Sequence, residues 1–178
     1  IVGDASKGIY IFGAQFEEAA STASSYIPTT TAAVTRNKDV LSYDTANWFA
    51  DGQAGTLQAD GDLTYVTPSG NKYIASLWGD SSNRIHMAIL SNQFQAFLMA
   101  GGVFANLSSL GTKSRGDSAR GSISWDLNNV GSTVDTYSGV LVDTSSAIPT
   151  GITNLVVGHY NNVPAGPAGA CVLNIIYY

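Results

Sequence analysis

The sequence predicts an all-β protein, an antiparallel β-sandwich, and three observations carry that prediction. Glycine accounts for 19 of the 178 residues, charged residues for 12% and aromatic residues for 10%. A chain rich in Gly, Ser, Thr and aromatic residues and poor in Glu and Lys favours short strands joined by turns. Strand-like runs and turn signals alternate at a spacing of about ten residues. No segment shows a convincing helical periodicity.

The N-terminal part is predicted to hold one strand followed by an arm. Residues Gly8–Phe16 are mostly apolar and have the residue types of a strand that is covered on both faces. The stretch Gly13–Leu41 is rich in Ala, Ser and Thr with a single proline, Pro28, and is predicted to be an ordered connector. Because a bare apolar strand would aggregate, we expect its own sandwich or a partner chain to cover it.

The first half of the sandwich is predicted to be a series of hairpins. Two short runs within Gly55–Val66 flank Asp60-Gly61-Asp62, and Asp-Gly between two such runs is a strong hairpin signal. Turn signals rich in Gly and Asn separate the strands that follow, which are predicted at Lys72–Trp78, Arg84–Leu90, Phe94–Met99 and Val103–Leu107.

The second half is predicted to hold longer polar segments between its strands. Ser108–Ser122 is polar and rich in glycine, which predicts an exposed loop, and Asn128–Ser132 predicts a turn. The remaining strands are expected at Ile123–Leu127, Thr133–Val142 (a strand pair or a strand bulged around Gly139), Leu155–Tyr160 and Cys171–Tyr178. The total of about ten to twelve short strands is typical of a jelly-roll sandwich.

Charge, hydropathy and cysteine content exclude several classes of protein. The net charge is −5 with only eight Lys and Arg residues, so nucleic acid is not expected as a partner. No run approaches the roughly 18 consecutive apolar residues of a membrane span, so membrane insertion is not expected. The single cysteine, Cys171, lies in an apolar run and is predicted to be a buried, inert thiol.

Several short segments of the connector resemble a known protein junction. Gly13–Glu18 and Ser24–Thr30, followed by Val34–Arg36 and Asp39–Val40, resemble the junction of bacteriophage tail-fibre and head-spike proteins. In those proteins the junction joins a preceding β-domain to a concanavalin A-like (laminin G-like) β-sandwich.

The resemblance implies two parts, which are an N-terminal strand and connector arm in residues 1–41 and a concanavalin A-like jelly roll in residues 42–178. It also implies a location on the phage virion, other virion proteins as partners, and a homo-oligomer, commonly a trimer in such fibres. Because the family continues beyond both ends of this sequence, we expect the chain to be a fragment of a longer protein.

Catalysis is not expected. Glycoside hydrolysis needs two carboxyl groups about 5–9.5 Å apart across a cleft, whereas the only glutamates, Glu17 and Glu18, lie in the connector. Most aspartates fall at predicted turns, where Asp is common for backbone reasons. His86 and His159 have no nucleophile elbow to serve, and His86 is expected to face solvent or the sheet surface.

A carbohydrate-binding surface is the leading hypothesis. Sugar sites combine an aromatic face for the pyranose ring with polar side chains for its hydroxyl groups. Trp78 is the favoured aromatic residue because the polar turn Gly79–Asn83 follows it directly. The candidate glycan-binding residues are Trp78, Trp48, Tyr160, Asp80, Asn83, Arg84, His159 and Asn161.

No cofactor is expected, although Asp60 and Asp62 are weak calcium candidates because calcium takes carboxylate oxygens at a loop rim. The alternative for these two residues is an ordinary Asp-rich turn.

The sequence therefore predicts a non-catalytic virion module that attaches to host surface glycans, with a bacterial surface polysaccharide as its ligand. A purely structural fibre or capsid-decoration domain is the first alternative. A polysaccharide depolymerase with an atypical Asp-based site is the second.

Overall fold

The computed structural model describes residues 28, 32, 41–62, 72–107, 111–114, 116–135, 141–158 and 171–178. Contacts divide the chain into two compact units, Ile1–Lys38 and Asp39–Tyr178, and every strand described below lies in the second unit. The predicted boundary after residue 41 stays a prediction.

The described residues form eleven strands, and the all-β prediction is confirmed. The strands are β1 (Leu41–Asp44), β2 (Gly55–Asp62), β3 (Lys72–Trp78), β4 (Arg84–Leu90), β5 (Gln93–Ala100), β6 (Val103–Leu107), β7 (Ser118–Asp126), β8 (Asn129–Val134), β9 (Leu141–Asp143), β10 (Asn154–Val157) and β11 (Cys171–Tyr177). In the part of the chain that the structure describes, no helix is long and apolar enough to span a membrane.

Two antiparallel sheets make up the sandwich. One has six strands in the order β1-β10-β3-β4-β5-β6, and the other has five in the order β11-β2-β7-β8-β9. Inward-facing apolar side chains from both sheets form one core, whose largest fully buried members are Phe94, Leu57, Ile74, Leu77, Ile85, Met87, Ile89, Leu98 and Ile123. The fold is a concanavalin A-like β-sandwich.

The consecutive strands of the six-stranded sheet are predicted well. β3 and β4 have the predicted bounds, and Gly101-Gly102 joins β5 to β6 as expected. Both glycines have positive φ (55° and 82°), a conformation that glycine adopts without steric cost. These strands pair with their sequence neighbours, so local turn signals are sufficient to locate them.

The predicted hairpin turn at Asp60-Gly61-Asp62 is wrong. β2 runs without interruption through Asp62, and it pairs with β7 along its whole length, from Gly55 opposite Trp125 to Asp62 opposite Ser118. The pairing partner lies some 60 residues away in the chain, and the local Asp-Gly signal does not overcome it. The predicted second run, Leu63–Val66, lies outside the described residues, as does the predicted strand Gly8–Phe16.

Two predicted connections turn out to contain strand. β7 begins at Ser118, inside the predicted loop Ser108–Ser122, because Ala119 and Gly121 point into the core as small inward residues. β8 occupies most of the predicted turn Asn128–Ser132, and only two residues, at 127 and 128, separate it from β7. Small and polar residues occur in loops and in strands alike, so composition does not distinguish the two here.

An ion pair ties residues 111–114 to both sheets. Lys113 Nζ pairs with the carboxylate of Asp135 beyond the end of β8 and donates a hydrogen bond to the carbonyl of Ser118 at 2.9 Å. The backbone N–H of Lys113 donates to the carbonyl of Asn92, which precedes β5, at 2.7 Å. Since β5 belongs to the six-stranded sheet and β7 and β8 to the other, this lysine bridges the two layers.

Lys113→Met is expected to lower the free energy of unfolding by about 1–3 kcal/mol, because charged hydrogen bonds are lost from a side chain that is mostly buried. Asp135 is about one-third exposed, so water compensates part of the loss. Denaturant unfolding measures the change. Arg120→Met is the matched control, since its ion pair with Asp60 is exposed on the arginine side and is worth about 0–1 kcal/mol. Equal losses in the two variants would contradict the bridging role.

Candidate functional site

One row of side chains crosses the outer face of the six-stranded sheet from edge to edge. In strand order its members are Asp44, Asn154, Trp78, Arg84, Met99 and Phe104, each paired directly with the next. Directly paired residues of antiparallel strands project from the same face. The neighbouring Leu77 and Ile85 point into the core, so this row, the outer row, faces away from it. Its end members are exposed and its four middle members are half-buried.

Trp78 and Arg84 form the centre of the outer row. The guanidinium carbon of Arg84 lies 5.9 Å from the centroid of the Trp78 ring, within the range of a cation–π contact. The carbonyl of Trp78 accepts a hydrogen bond from the backbone N–H of Thr153 at 3.0 Å, which fixes the end of β3 against the start of β10. An indole beside a planar cation can stack on the apolar side of a ring and donate hydrogen bonds to ring substituents.

Asp44 and Asn154 give one end of the outer row its polar character. Ser42 Oγ donates to Asn154 Oδ1 at 3.3 Å, and Asn154 Nδ2 donates to Thr153 Oγ1 at 2.9 Å. One carboxylate oxygen of Asp44 accepts the backbone N–H of Ala46 at 2.7 Å. These contacts orient the amide of Asn154 next to Trp78 and the carboxylate of Asp44 one strand further along the row.

The next row of the same face is closed to solvent from β10 to β5. Its members there are Val156, Ser76, His86 and Phe97, which are all buried, whereas Ser42 at the β1 end of the row is exposed. The sequence predicts that His86 faces solvent or the sheet surface. The solvent-facing alternative is wrong, because the side chain has 0% exposure, and His86 lies on the outward face of the sheet where other side chains cover it. Alternation along β4 identifies two faces, but it cannot show that the outward face is covered as well.

His86 lies among aromatic rings, with the hydroxyl of Ser76 beside it. Its ring centroid is 4.7 Å from that of Phe97 and 5.3 Å from that of Tyr73, and Nδ1 lies 2.8 Å from Ser76 Oγ. Desolvation on burial, with a smaller contribution from the charge of Arg84, lowers the pKa of His86 from 6.5 to about 3. The ring is thus neutral at pH 7.

Asp80 and Asn83 stabilise the turn that follows Trp78. Asp80 Oδ1 accepts the backbone N–H groups of Ser82 and Asn83 at 2.6 and 2.8 Å. The hydrogen bond from Ser82, the first cause, lowers the pKa of Asp80 below its ordinary 3.8. Asn83 Oδ1 accepts from the backbone N–H groups of Gly101 at 3.1 Å and Thr150 at 3.4 Å, and so ties three loops together. Hydrogen bonds from Asp80 and Asn83 to a sugar stay predictions.

Trp48 belongs to a different cluster from Trp78. Its ring contacts Tyr177 (centroids 5.6 Å apart) and Phe49 (6.1 Å), and these rings pack in turn on Trp125. The indole N–H of Trp48 donates to the carbonyl of Asp44 at 2.6 Å, and 40% of the residue is exposed. The cluster lies at the end of the core, so the described contacts do not bring Trp48 and Trp78 into one groove.

Asp60 and Asp62 lie on the outer face of β2. Asp60 Oδ1 accepts from Arg120 Nε at 2.9 Å, and Asp62 Oδ1 accepts from Ser118 Oγ at 2.7 Å. No group of three or more His, Cys, Asp or Glu side chains lies together among the residues that the structure covers. Calcium binding by these two aspartates stays a prediction.

The structure brings together four of the predicted residues, Trp78, Asp80, Asn83 and Arg84, on the single hairpin β3–β4. His159, Tyr160 and Asn161 lie outside the described residues. Sequence reasoning missed Asp44 and Asn154. They join the row through pairing across more than 70 residues of chain, which no local pattern reveals.

Comparison with known proteins supports the fold. No protein-family model matches the sequence, and no curated protein matches it. Among solved structures, domains LG4-5 of the mouse laminin α1 chain share the fold with a TM-score of 0.58 at 14% identity, over 78% of this chain. The match covers only 38% of the laminin chain.

Two further solved structures share the sandwich. Domain 4 of AbnA, a GH43 extracellular arabinanase from Geobacillus stearothermophilus solved in complex with arabinotriose, matches with a TM-score of 0.57 at 12% identity, over 76% of this chain and 63% of its own. CG-16, a homodimeric agglutinin from chicken liver, matches with a TM-score of 0.50 at 14% identity, over 79% of this chain and 100% of its own. At such identities the likeness concerns the fold.

Proposed function

We propose that this domain binds carbohydrate without transforming it, and that the ligand lies along the outer row. The observation that carries the proposal is the half-open Trp78–Arg84 pair, with the polar side chains of Asn154 and Asp44 on one side of it. Trp78 would stack on the apolar face of a sugar ring. Asn154 would donate hydrogen bonds to its oxygens, and Asp44 would accept them from hydroxyl groups. Arg84, whose Nε and Nη1 atoms are buried, would hold the indole through the cation–π contact.

The fold and the shape of the surface support this class of ligand. An agglutinin and a domain that holds arabinotriose share the sandwich. Six neighbouring strands span about 24 Å from edge to edge, which fits an extended oligosaccharide better than a single ring. The covered row beside it would confine the ligand to one line of contacts.

Non-catalytic binding is proposed because the outer row offers one carboxylate, that of Asp44, where glycoside hydrolysis requires two. The sandwich sequence contains no Glu, and the neutral, buried His86 is not accessible to a ligand. Incubation of the protein with bacterial polysaccharides should release no new reducing ends. Release that Asp44→Asn abolishes would instead establish a depolymerase.

The setting that we propose is the outside of a phage virion, where the domain attaches to a bacterial surface polysaccharide. This part rests on the resemblance of residues 13–41 to fibre and spike junctions. In that setting, the partners that we propose are other virion proteins and further copies of the chain.

A purely structural role in a fibre or on a capsid is the competing proposal, and an array of bacterial surface polysaccharides separates the two. If the folded protein bound none of them, the attachment role would be abandoned.

Trp78→Ala is expected to weaken binding to any glycan that the array identifies by about tenfold, because one aromatic stacking contact is worth about 1 kcal/mol or more. Isothermal titration measures the affinity, and circular dichroism checks the fold. Tyr178→Ala is the matched control, since it removes an aromatic side chain that is 70% exposed and follows β11 of the other sheet. An affinity that falls equally in both variants would remove the outer row as the site.

A further inference from the structure

The outer face of the five-stranded sheet carries a depression of about 420 Å³, on the opposite side of the sandwich from the outer row. Three adjacent strands and the residue before β2 form it, and it is lined by Ala54, Gly55, Thr56, Ser124, Trp125, Asp126, Asn129 and Gly131. The volume is within the range of about 300–1,000 Å³ that small-molecule sites occupy.

Residue size explains why the depression exists. Thr56, Ser124 and Gly131 are paired directly across β2, β7 and β8, and Gly131 contributes no side chain to this outward row. Ala54 is small as well, so little side-chain volume fills the surface at Ala54 and Gly131. The result is an opening whose rim consists of polar side chains.

The floor of the depression is held in place by the core beneath it. Trp125 packs so closely on Gly55 that a Cβ there would be 2.7 Å from the indole Cζ2 atom. The indole N–H of Trp125 donates to the carbonyl of Gln53 at 3.0 Å. A ligand would therefore meet a preformed surface, which keeps the ordering cost of binding low.

The rim retains hydrogen-bonding capacity. Thr56 Oγ1 and Ser124 Oγ lie 2.9 Å apart, so one hydroxyl donates to the other and the second proton remains for a ligand. Asp126 Oδ1 accepts the backbone N–H of Leu127 at 2.7 Å. The second oxygen of Asp126 and the side-chain amide of Asn129 form no hydrogen bond with another described residue, and both residues are exposed.

We propose that this depression is a second saccharide-binding site, which takes one pyranose unit through its vicinal hydroxyl groups. Asp126 accepts from two neighbouring hydroxyls, Asn129 both donates and accepts, and the Thr56–Ser124 pair supplies a donor. The inference rests on the proposed function for the class of ligand but not for its position. With one site on each outer face, a single domain can bridge two glycan chains.

The lining chemistry favours a neutral polyol over other small ligands. It contains one carboxylate and no Lys, Arg or His, so a phosphate or other anion has no cation to meet. A single carboxylate falls short of the six to eight oxygen ligands that calcium takes. Four polar side chains around an open depression offer little to an acyl chain. A ring that carries several hydroxyls fits both the donors and the acceptors.

The test is an NMR titration of the isotopically labelled full chain with the methyl glycosides of glucose, galactose and mannose up to millimolar concentration. At least one of them is expected to give saturable amide shifts at Thr56, Ser124, Asn129 and Gly131. The double variant Thr56→Val/Ser124→Ala is expected to weaken that binding about tenfold through the loss of hydrogen bonds. Thr133→Val/Ser122→Ala is the matched control, because these hydroxyls pair at the same 2.9 Å on the same face outside the depression.

Each outcome separates this inference from the proposed function. Absence of saturable shifts at the depression with all of the glycosides, or equal weakening in both double variants, overturns the second site. Binding at the depression that Trp78→Ala leaves unchanged supports it. Shifts confined to the outer row support the proposed function and overturn only this inference. Shifts confined to the depression support this inference and overturn the outer row as the binding site.

Discussion

Phe94→Ala is expected to lower the free energy of unfolding by about 3–5 kcal/mol, the largest effect that we expect from a single substitution. Phe94 has 0% exposure and is the largest fully buried side chain among the residues that the structure describes. It belongs to β5 of the six-stranded sheet, and its ring reaches across to Gly121 in β7 of the five-stranded sheet. Its removal leaves a cavity between the layers that neither backbone can fill. Denaturant unfolding measures the loss.

Phe104→Ala is the matched control for Phe94→Ala. It truncates the same residue type in the same sheet, but Phe104 is 47% exposed, so the loss should stay well below that of Phe94→Ala. Gly121→Ala tests the contact from the other side, since its Cβ would lie 2.1 Å from Phe94 Cζ and the ring would have to shift. That overpacking should cost about 1–3 kcal/mol, and less when combined with Phe94→Leu. Additive losses, or equal losses for the two phenylalanines, would contradict this account of the core.

A decrease in pH from 7 to 4 is expected to destabilise the fold by about 3 kcal/mol through His86 alone. Burial lowers the pKa of this histidine to about 3 in the folded state, whereas it is 6.5 in the unfolded chain. The unfolded state therefore binds the proton first. The contribution of the neutral ring is fully present above pH 6.5 and is lost as the pH falls towards 3.

His86→Gln provides the comparison, because glutamine keeps a polar partner for Ser76 Oγ without a group that titrates in this window. The difference in unfolding free energy between wild type and variant should shrink by about 3 kcal/mol from pH 7 to pH 4. Asp80, whose pKa is lowered in the folded state, is present in both proteins, so its contribution cancels in the difference. Parallel pH profiles would show that His86 is solvated or that the closed row opens.

The sequence was most informative where strands pair with their neighbours in the chain. Arg84–Leu90 alternates, and a Gly-Asp-Ser-Ser-Asn turn separates it from Lys72–Trp78. The two runs form β4 and β3 with the predicted bounds. Because these two strands are neighbours in the sequence, one hairpin carries Trp78, Asp80, Asn83 and Arg84. Trp78 and Arg84 could thus be predicted as a pair, because they flank a turn and face each other across the ladder.

Distant pairing explains most of the errors. The Asp-Gly signal in β2 was overridden because β7, far along the chain, supplies the hydrogen bonds of a complete strand. Ala119 and Gly121 have the composition of a loop, yet both are buried, and Phe94 fills the space that a side chain at Gly121 would need. A pattern in one strand carries no information about the size of a side chain that reaches it from the other sheet.

The amino-acid sequence by itself determined the all-β class, the hairpins β3–β4 and β5–β6, and the position of Trp78 beside Arg84. These features depend on alternation, glycine turns and neighbours within about ten residues. Only the tertiary structure decided that Asp44 and Asn154 complete the outer row, that His86 is buried and neutral, and that the five-stranded sheet has its own polar depression. Each of these depends on the register between distant strands and on what covers a face, and neither property is encoded in a local pattern.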